Sequence, residues 1–189
     1  MNRILPPHRV KARLRGGDVA LGINVRLARS PDIARIAKAS GHDFIFIDTQ
    51  HSIFNLESIQ QIAHTALALG ISPLVRVKGI DDPDVSLLLD NGVTGIVYPD
   101  ISTAEQARRA VEVCRFAPLG KRGVAGGYPH FDYRGVPLTQ SLPHRHASSK
   151  WRDGTASSQA AAATAAPNAS SMRYAAARSF SPHRPTSGF

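Results

Sequence analysis

The sequence predicts an α/β fold built on parallel strands. Three observations carry this. Short apolar runs alternate with helical patterns four times within about 100 residues, each joined by a short loop. The second run, Phe44-Ile45-Phe46-Ile47, is continuously apolar, as in a strand covered on both faces. Each helical segment opens on a capping residue, and the first three close at a glycine. Such alternation requires right-handed crossovers between parallel strands, and periodicity alone does not separate a closed barrel from a doubly wound sheet.

The units follow in order. Val19–Leu27 reads as the first strand. Ser30-Pro31-Asp32 starts a helix, with serine as cap, proline in the first turn and an acid that complements the helix dipole; it runs to about Ser40 and stops at Gly41. Phe44–Ile47 is the second strand. Asn55 caps a helix with apolar positions Ile59, Ile62, Ala63, Ala66 and Leu67, ended by Gly70. Ser72–Val77 is the third strand, and Asp82-Pro83 opens a helix through Leu89, closed by Gly92. Thr94–Tyr98 is the fourth, and Ser102 or Thr103, with Glu105 close behind, starts a helix through Cys114. Pro118–Gly135 is a long loop rich in glycine and aromatics, of the kind that often serves function.

The character changes near Gln140. Between Ser141 and Phe189 there is no Ile, Val or Glu, and Leu142 is the only Leu. A stretch so poor in core-formers cannot offset its chain entropy. The expected organisation is therefore one domain over 1–140 and a disordered, low-complexity tail over 141–189, with a marginal helix at Ser157–Ala166. Alanine-, arginine-, serine- and proline-rich sequence after a patterned domain is what a shifted reading frame in a GC-rich gene would produce. Sequencing the gene tests that.

The 189 residues carry 23 Lys and Arg against 14 Asp and Glu, a net charge of +9. Six of those cations and one of those acids lie beyond Gln140. The tail's cations are scattered, with only Trp151, Tyr174 and two Phe among them, so a nucleic-acid partner is not expected. Cys114 is the sole cysteine, which forbids an intramolecular disulfide and suits a reducing compartment. No apolar run approaches the roughly 20 residues of a membrane span, and Met1–Arg15 lacks the apolar core of a secretory signal, so a cytoplasmic protein is expected.

In parallel α/β folds chemistry gathers at the C-terminal strand ends. Those ends hold Asp48, Thr49, Gln50 and His51 after the second strand, Arg76 at the end of the third and Asp100 after the fourth, with Arg122 in the long loop. His51 is either a general base near neutral pH or a loop histidine bonded to backbone. Arg76, in an apolar strand, needs a partner: a substrate carboxylate or a neighbouring acid such as Asp48. Asp90 alone reads as an ordinary helix-end residue. Gly120-Lys121-Arg122-Gly123 could hold an anion but lacks P-loop spacing.

Taken together, Asp48-Thr49-Gln50-His51, Pro73–Val77, Leu89-Asp90-Asn91-Gly92, Val97-Tyr98-Pro99 and Pro118–Gly123 resemble, in order and spacing, the HpcH/HpaI aldolases of the citrate lyase β-subunit superfamily. The resemblance spans roughly Arg9 to Leu138. It implies a (β/α)₈ TIM-barrel type truncated to about four βα units. It also implies a metal-dependent carbon–carbon lyase that cleaves a 4-hydroxy-2-keto acid to pyruvate and an aldehyde. The implied catalytic residues are His51, Asp90 and Arg76, with Asp90 orienting His51 and Arg76 holding the pyruvyl group. Arg122 and Gly123 would help bind substrate, and Asp48 and Gln50 would support the site from behind. The implied cofactor is Mg²⁺ or Mn²⁺, and the implied assembly a homo-oligomer acting on a small 2-keto acid.

Two departures accompany the resemblance. Gln50 stands where the family has a glutamate. The family's metal ligands, a glutamate and an aspartate on later strands, have no counterpart here: the only tail acid is Asp153, in a different context. No metal ligand is assigned. The alternative is a truncated, catalytically inactive aldolase fragment, and a third reading is a polyanion-binding protein using the basic tail.

Overall fold

Parallel pairing of four strands organises the computed structural model, which describes residues 9–135 and 161–163. The strands are β1 (Gly22–Val25), β2 (Phe44–Asp48), β3 (Ser72–Arg76) and β4 (Gly95–Tyr98), hydrogen-bonded in sequence order. Between them run α2 (Asp32–Ala39), α3 (Leu56–Ala68) and α4 (Val85–Asp90), and α5 (Ala104–Cys114) follows β4. This is the predicted β–α alternation, with three strands trimmed at their ends and β2 extended by one residue to Asp48. A short helix α1 (Arg9–Arg15), which the sequence pattern does not announce, precedes β1; its Arg13 pairs with Asp43 at 3.3 Å.

Strand alternation sorts side chains onto two faces. Val25, Ile45, Ile47, Val75, Ile96 and Tyr98 turn toward the helices, meeting Ala34, Ala37, Ile59, Ile62, Ala63, Leu88, Leu89 and Ala110 in one buried cluster. The alanines on α2 and α3 let the helices lie close to the sheet. Ile45, Ile47, Ile62 and Leu89 are fully buried, and each such side chain contributes roughly 1.5–3 kcal/mol through its removal from water. The other face carries Asn24, Phe46, Asp48, Leu74, Arg76 and Val97, two residues apart along each strand. Gly22 belongs to this face, where any Cβ would stand 2.1 Å from the Phe44 ring.

The helix starts follow their sequence signals closely. The Asn55 side chain accepts from Ser58 N–H at 2.7 Å. Thr103 and Gln106 form a reciprocal capping box, with Gln106 filling the role expected of an acid near Glu105. At α2, Pro31 occupies the cap position, and the Ser30 hydroxyl still accepts from Asp32 N–H at 3.2 Å.

The long loop after α5 folds back beneath the sheet and includes a 3₁₀ turn at Pro129–Phe131. Beyond it, Ala161–Ala163 form β5, which pairs antiparallel with β4. That corrects the helix expected at Ser157–Ala166 in these three residues. Strand pairing on the free edge of β4 satisfies their backbone groups and overrides alanine's helical preference. The rest of the expected disordered tail lies outside the described residues. Among the described residues no helix is long and apolar enough to cross a membrane.

Candidate active site

Asp48 is the anchor of the C-terminal strand ends. The register places it directly beside Arg76 on the neighbouring strand, with both side chains on the same face. Arg76 donates to it twice, from Nε at 3.0 Å and Nη2 at 2.6 Å, a fork-on-fork pair. The backbone N–H groups of Gln50 and His51 donate to its Oδ1 at 3.1 and 3.2 Å. Arg26, just after β1, brings Nε to 3.5 Å from Oδ2. Burial pushes the Asp48 carboxyl up, but the Arg76 hydrogen bonds, the His51 N–H and the Arg76 charge outweigh it and hold the carboxyl below its usual value.

The partner that sequence left open for Arg76 is therefore Asp48. Arg76 is not exhausted by it. Its side chain keeps 23% exposure, Nη1 has no partner among the described residues, and the guanidinium sits 5.7 Å from the Phe46 ring centre. Two guanidinium groups share one carboxylate here, so the cluster retains one net positive charge. That is suited to an incoming carboxylate.

The turn after Asp48 carries His51, which is exposed and whose imidazole has no hydrogen bond among the described residues. The turn is tied down on three sides. Arg26 donates to the His51 carbonyl at 2.9 Å and to the Ser52 hydroxyl at 3.3 Å. Thr49 donates from its hydroxyl to the Arg76 carbonyl at 2.6 Å. Gln50 donates from its amide to Asp100 at 3.2 Å. Asp100 adopts φ 56°, a left-handed conformation uncommon outside glycine and sometimes associated with functional sites. An open cleft of about 500 Å³ lies against this turn, lined by Thr49, Gln50, His51, Ser52, Ile53, Phe54 and Lys78.

Sequence reasoning missed Arg26 as a member of the site. The available signal was an arginine at the end of an apolar strand, the same placement that singles out Arg76.

The remaining predicted site residues lie elsewhere. Asp90 ends α4, five residues before β4 begins, so it stands at the N-terminal end of the sheet. β4 alone separates the two ends by about 13 Å at 3.3 Å per residue. Asp90 accepts a hydrogen bond from Arg122 Nη2. Within this chain it does not orient His51, because a helix running antiparallel to its strands delivers its last residue to the wrong end. Arg122 is likewise at that end, 6% exposed, stacked 4.5 Å from the Phe116 ring centre and near Tyr128. Gly123 follows it in the same loop. Neither Arg122 nor Gly123 reaches the cleft.

Among the described residues no three His, Cys, Asp or Glu side chains converge closely enough to hold a metal ion. At the cleft, Asp48 is already committed to arginines and Asp100 accepts from the Gln50 amide N–H, which leaves the His51 imidazole and the Gln50 amide oxygen as the main ligand candidates among the described residues.

Residues 26–169 match the family described as HpcH/HpaI aldolase/citrate lyase. The chain belongs to that family. A 4-hydroxy-4-methyl-2-oxoglutarate aldolase of Hapsidospora irregularis is 37% identical over 125 residues, covering 65% of this chain and 46% of the relative. A 4-hydroxy-2-oxovalerate aldolase of Novosphingobium aromaticivorans is 37% identical over 134 residues, covering 67% of this chain and 51% of the relative. Among solved structures, an HpcH/HpaI aldolase from Desulfitobacterium hafniense superposes with a TM-score of 0.66 at 32% identity, covering 70% of this chain and 51% of that one. This HpcH/HpaI chain thus spans about half the length of the curated relatives it matches. Its β1–α5 segment has the fold of the family's TIM-barrel aldolases.

Proposed function

We propose that this chain carries the 2-keto-acid-binding and proton-transfer part of an aldolase site, directed at a 4-hydroxy-2-keto acid. The observation that carries the reading is the Asp48–Arg76 pair beside His51 at the mouth of the cleft. Arg76, locked by Asp48, presents Nη1 to the substrate carboxylate. In the cleavage direction His51 removes the proton from the 4-hydroxyl. The C3–C4 bond breaks, the aldehyde departs, and the electron pair left on C3 forms the enolate of pyruvate. Arg76 stabilises the negative charge on that enolate oxygen, and return of the proton from His51 to C3 completes pyruvate and restores the neutral imidazole.

The cofactor expected from the family is Mg²⁺ or Mn²⁺, which would act as a Lewis acid on the keto acid. The described residues do not fit such an ion, because no three His, Cys, Asp or Glu side chains among them converge to hold it. Residues 1–140 form the aldolase-like domain in this reading, 141–189 a separate tail, and the working assembly is a homo-oligomer.

A second reading is an aldolase relative that binds keto acids without cleaving them. The placement of Asp90 at the far end of the sheet and the lack of a metal-holding group among the described residues favour it. One experiment separates the two: pyruvate release from a 4-hydroxy-2-keto acid by the full chain, with Mn²⁺ and then with EDTA. Metal-dependent release that is lost in His51→Ala supports the aldolase. Pyruvate binding by folded protein without release supports the second reading.

A further inference from the structure

We infer that Arg26 is a positioning residue for His51, an inference that rests on the aldolase reading for its chemistry but not for its geometry. Arg26 sits one residue beyond β1, and its fork spans three groups on the neighbouring turn. Nη2 donates to the His51 carbonyl at 2.9 Å, Nε donates to the Ser52 hydroxyl at 3.3 Å, and the same Nε lies 3.5 Å from Asp48 Oδ2.

These contacts do something the other ties do not. Asp48 holds the N–H groups of Gln50 and His51 from below, which fixes where the turn starts. Gln50 and Thr49 hold it toward β4 and β3. Among the described residues Arg26 alone holds the His51 carbonyl and the residue after it, so it determines which way the His51 Cα presents its imidazole. No other hydrogen bond among the described residues restrains that ring. Arg26 also draws on Asp48, so that one carboxylate does not wholly neutralise Arg76. A lysine cannot replace it, because a single ammonium lacks the planar fork that reaches a carbonyl and a hydroxyl together.

The test uses the full chain and three forms: wild type, Arg26→Ala and Arg26→Lys. In a wild type that releases pyruvate, Arg26→Ala and Arg26→Lys are each expected to lower kcat by about tenfold or more, the scale of a slightly misplaced catalytic group, with KM changed less than about threefold. Free guanidinium at millimolar concentration restores part of kcat to Arg26→Ala and none to wild type. Unchanged kcat, or a loss confined to KM, overturns the inference.

A wild type that releases no pyruvate removes the aldolase reading instead, and Arg26 is then judged by amide hydrogen exchange at Gln50 and His51. Exchange faster by about tenfold in Arg26→Lys, with the β2 amides unchanged, supports the brace. Equal exchange in the two proteins overturns it. Arg26→Lys keeps the charge and the long stem, so it carries the test if Arg26→Ala does not fold.

Discussion

An aspartate–arginine pair sits at each end of the parallel strands, and the two pairs differ in what surrounds them. At the C-terminal end, Asp48 and Arg76 border an open cleft, with an exposed histidine on the adjoining turn. At the N-terminal end, Asp90 and Arg122 are closed over by the 116–135 loop. Phe116 and Tyr128 flank the guanidinium, and His130 contacts the Val93 carbonyl at 3.2 Å. The first pair leaves a donor edge free for a ligand. The second leaves buried atoms with no hydrogen-bond partner among the described residues, Arg122 Nε and nearby His64 Nε2. Under the proposed function the same two residue types serve recognition at one end and closure at the other. Exposure and the direction of the free edge decide which.

The largest effects belong to the closed end. Asp90→Ala leaves a guanidinium that is 6% exposed without its counter-charge, and breaking a buried pair from that side costs about 3–5 kcal/mol. Arg122→Met is expected to be milder, because Asp90 is 26% exposed and water can reach it. Thermal or denaturant unfolding of the two variants checks the asymmetry. Loss of pyruvate release by Asp90→Asn protein that remains folded would break the comparison and restore the role that the resemblance implies for Asp90.

At the open end the expected effect is on turnover. If the chain releases pyruvate as proposed, His51→Ala should lower that release by about 100-fold or more, the usual contribution of a positioned acid–base group, with the melting temperature little changed because the imidazole is exposed and has no hydrogen bond among the described residues. A fall in melting temperature without a fall in release would show that the open end is structural after all.

Much of this contrast is legible in the amino-acid sequence, and the illegible part has a clear cause. The run Phe44–Ile47 announces β2, which puts Asp48 and His51 at a strand end. Arg76 stands out as a charge needing a partner, with Asp48 among the choices. Register makes the choice, and register between β2 and β3 is a long-range property that local patterning does not contain. Motif order joins Asp90 to His51, although its place at the end of a helix that precedes a strand already assigns it to the opposite end. Arg26 escapes notice because β1 is short and only Val25 on it is well buried, so the strand's end is blurred. α1 escapes because Arg9–Arg15 offers only Val10, Ala12 and Leu14 as apolar positions among four cations.

The closed end should also make stability depend on pH in a way the open end does not. Burial lowers the pKa of His64 and of His130 below 6.5, and for His130 the nearby Arg122 adds to this while the Val93 carbonyl and Asp90 oppose it. The unfolded chain takes up these protons near 6.5, and the folded chain only below that. Stability is therefore full above about 6.5 and falls as pH drops from there toward the lowered folded values. Asp48 acts in the same sense but only below 3.8, where its folded carboxyl resists protonation. Melting temperatures between pH 8 and 5 check this. The slope should shrink in His130→Gln.

The smallest effect tests whether the open end's floor is set by the helix behind it. Asn55 caps α3 directly after Ile53 and Phe54, two of the cleft's lining residues. Arg29 holds this stretch from the other side, donating to the Ile53 carbonyl at 2.6 Å and lying 5.0 Å from the Phe54 ring centre. Asn55→Ala removes one acceptor for the Ser58 N–H and should cost about 1 kcal/mol of stability. Thr103→Ala at α5 should cost a similar amount, but no residue near it lines the cleft. If the cap also sets the cleft floor, Asn55→Ala weakens keto-acid binding beyond what Thr103→Ala does at equal stability loss. Equal binding in the two variants would mean that Arg29 holds the floor and that α3 contributes only its packing.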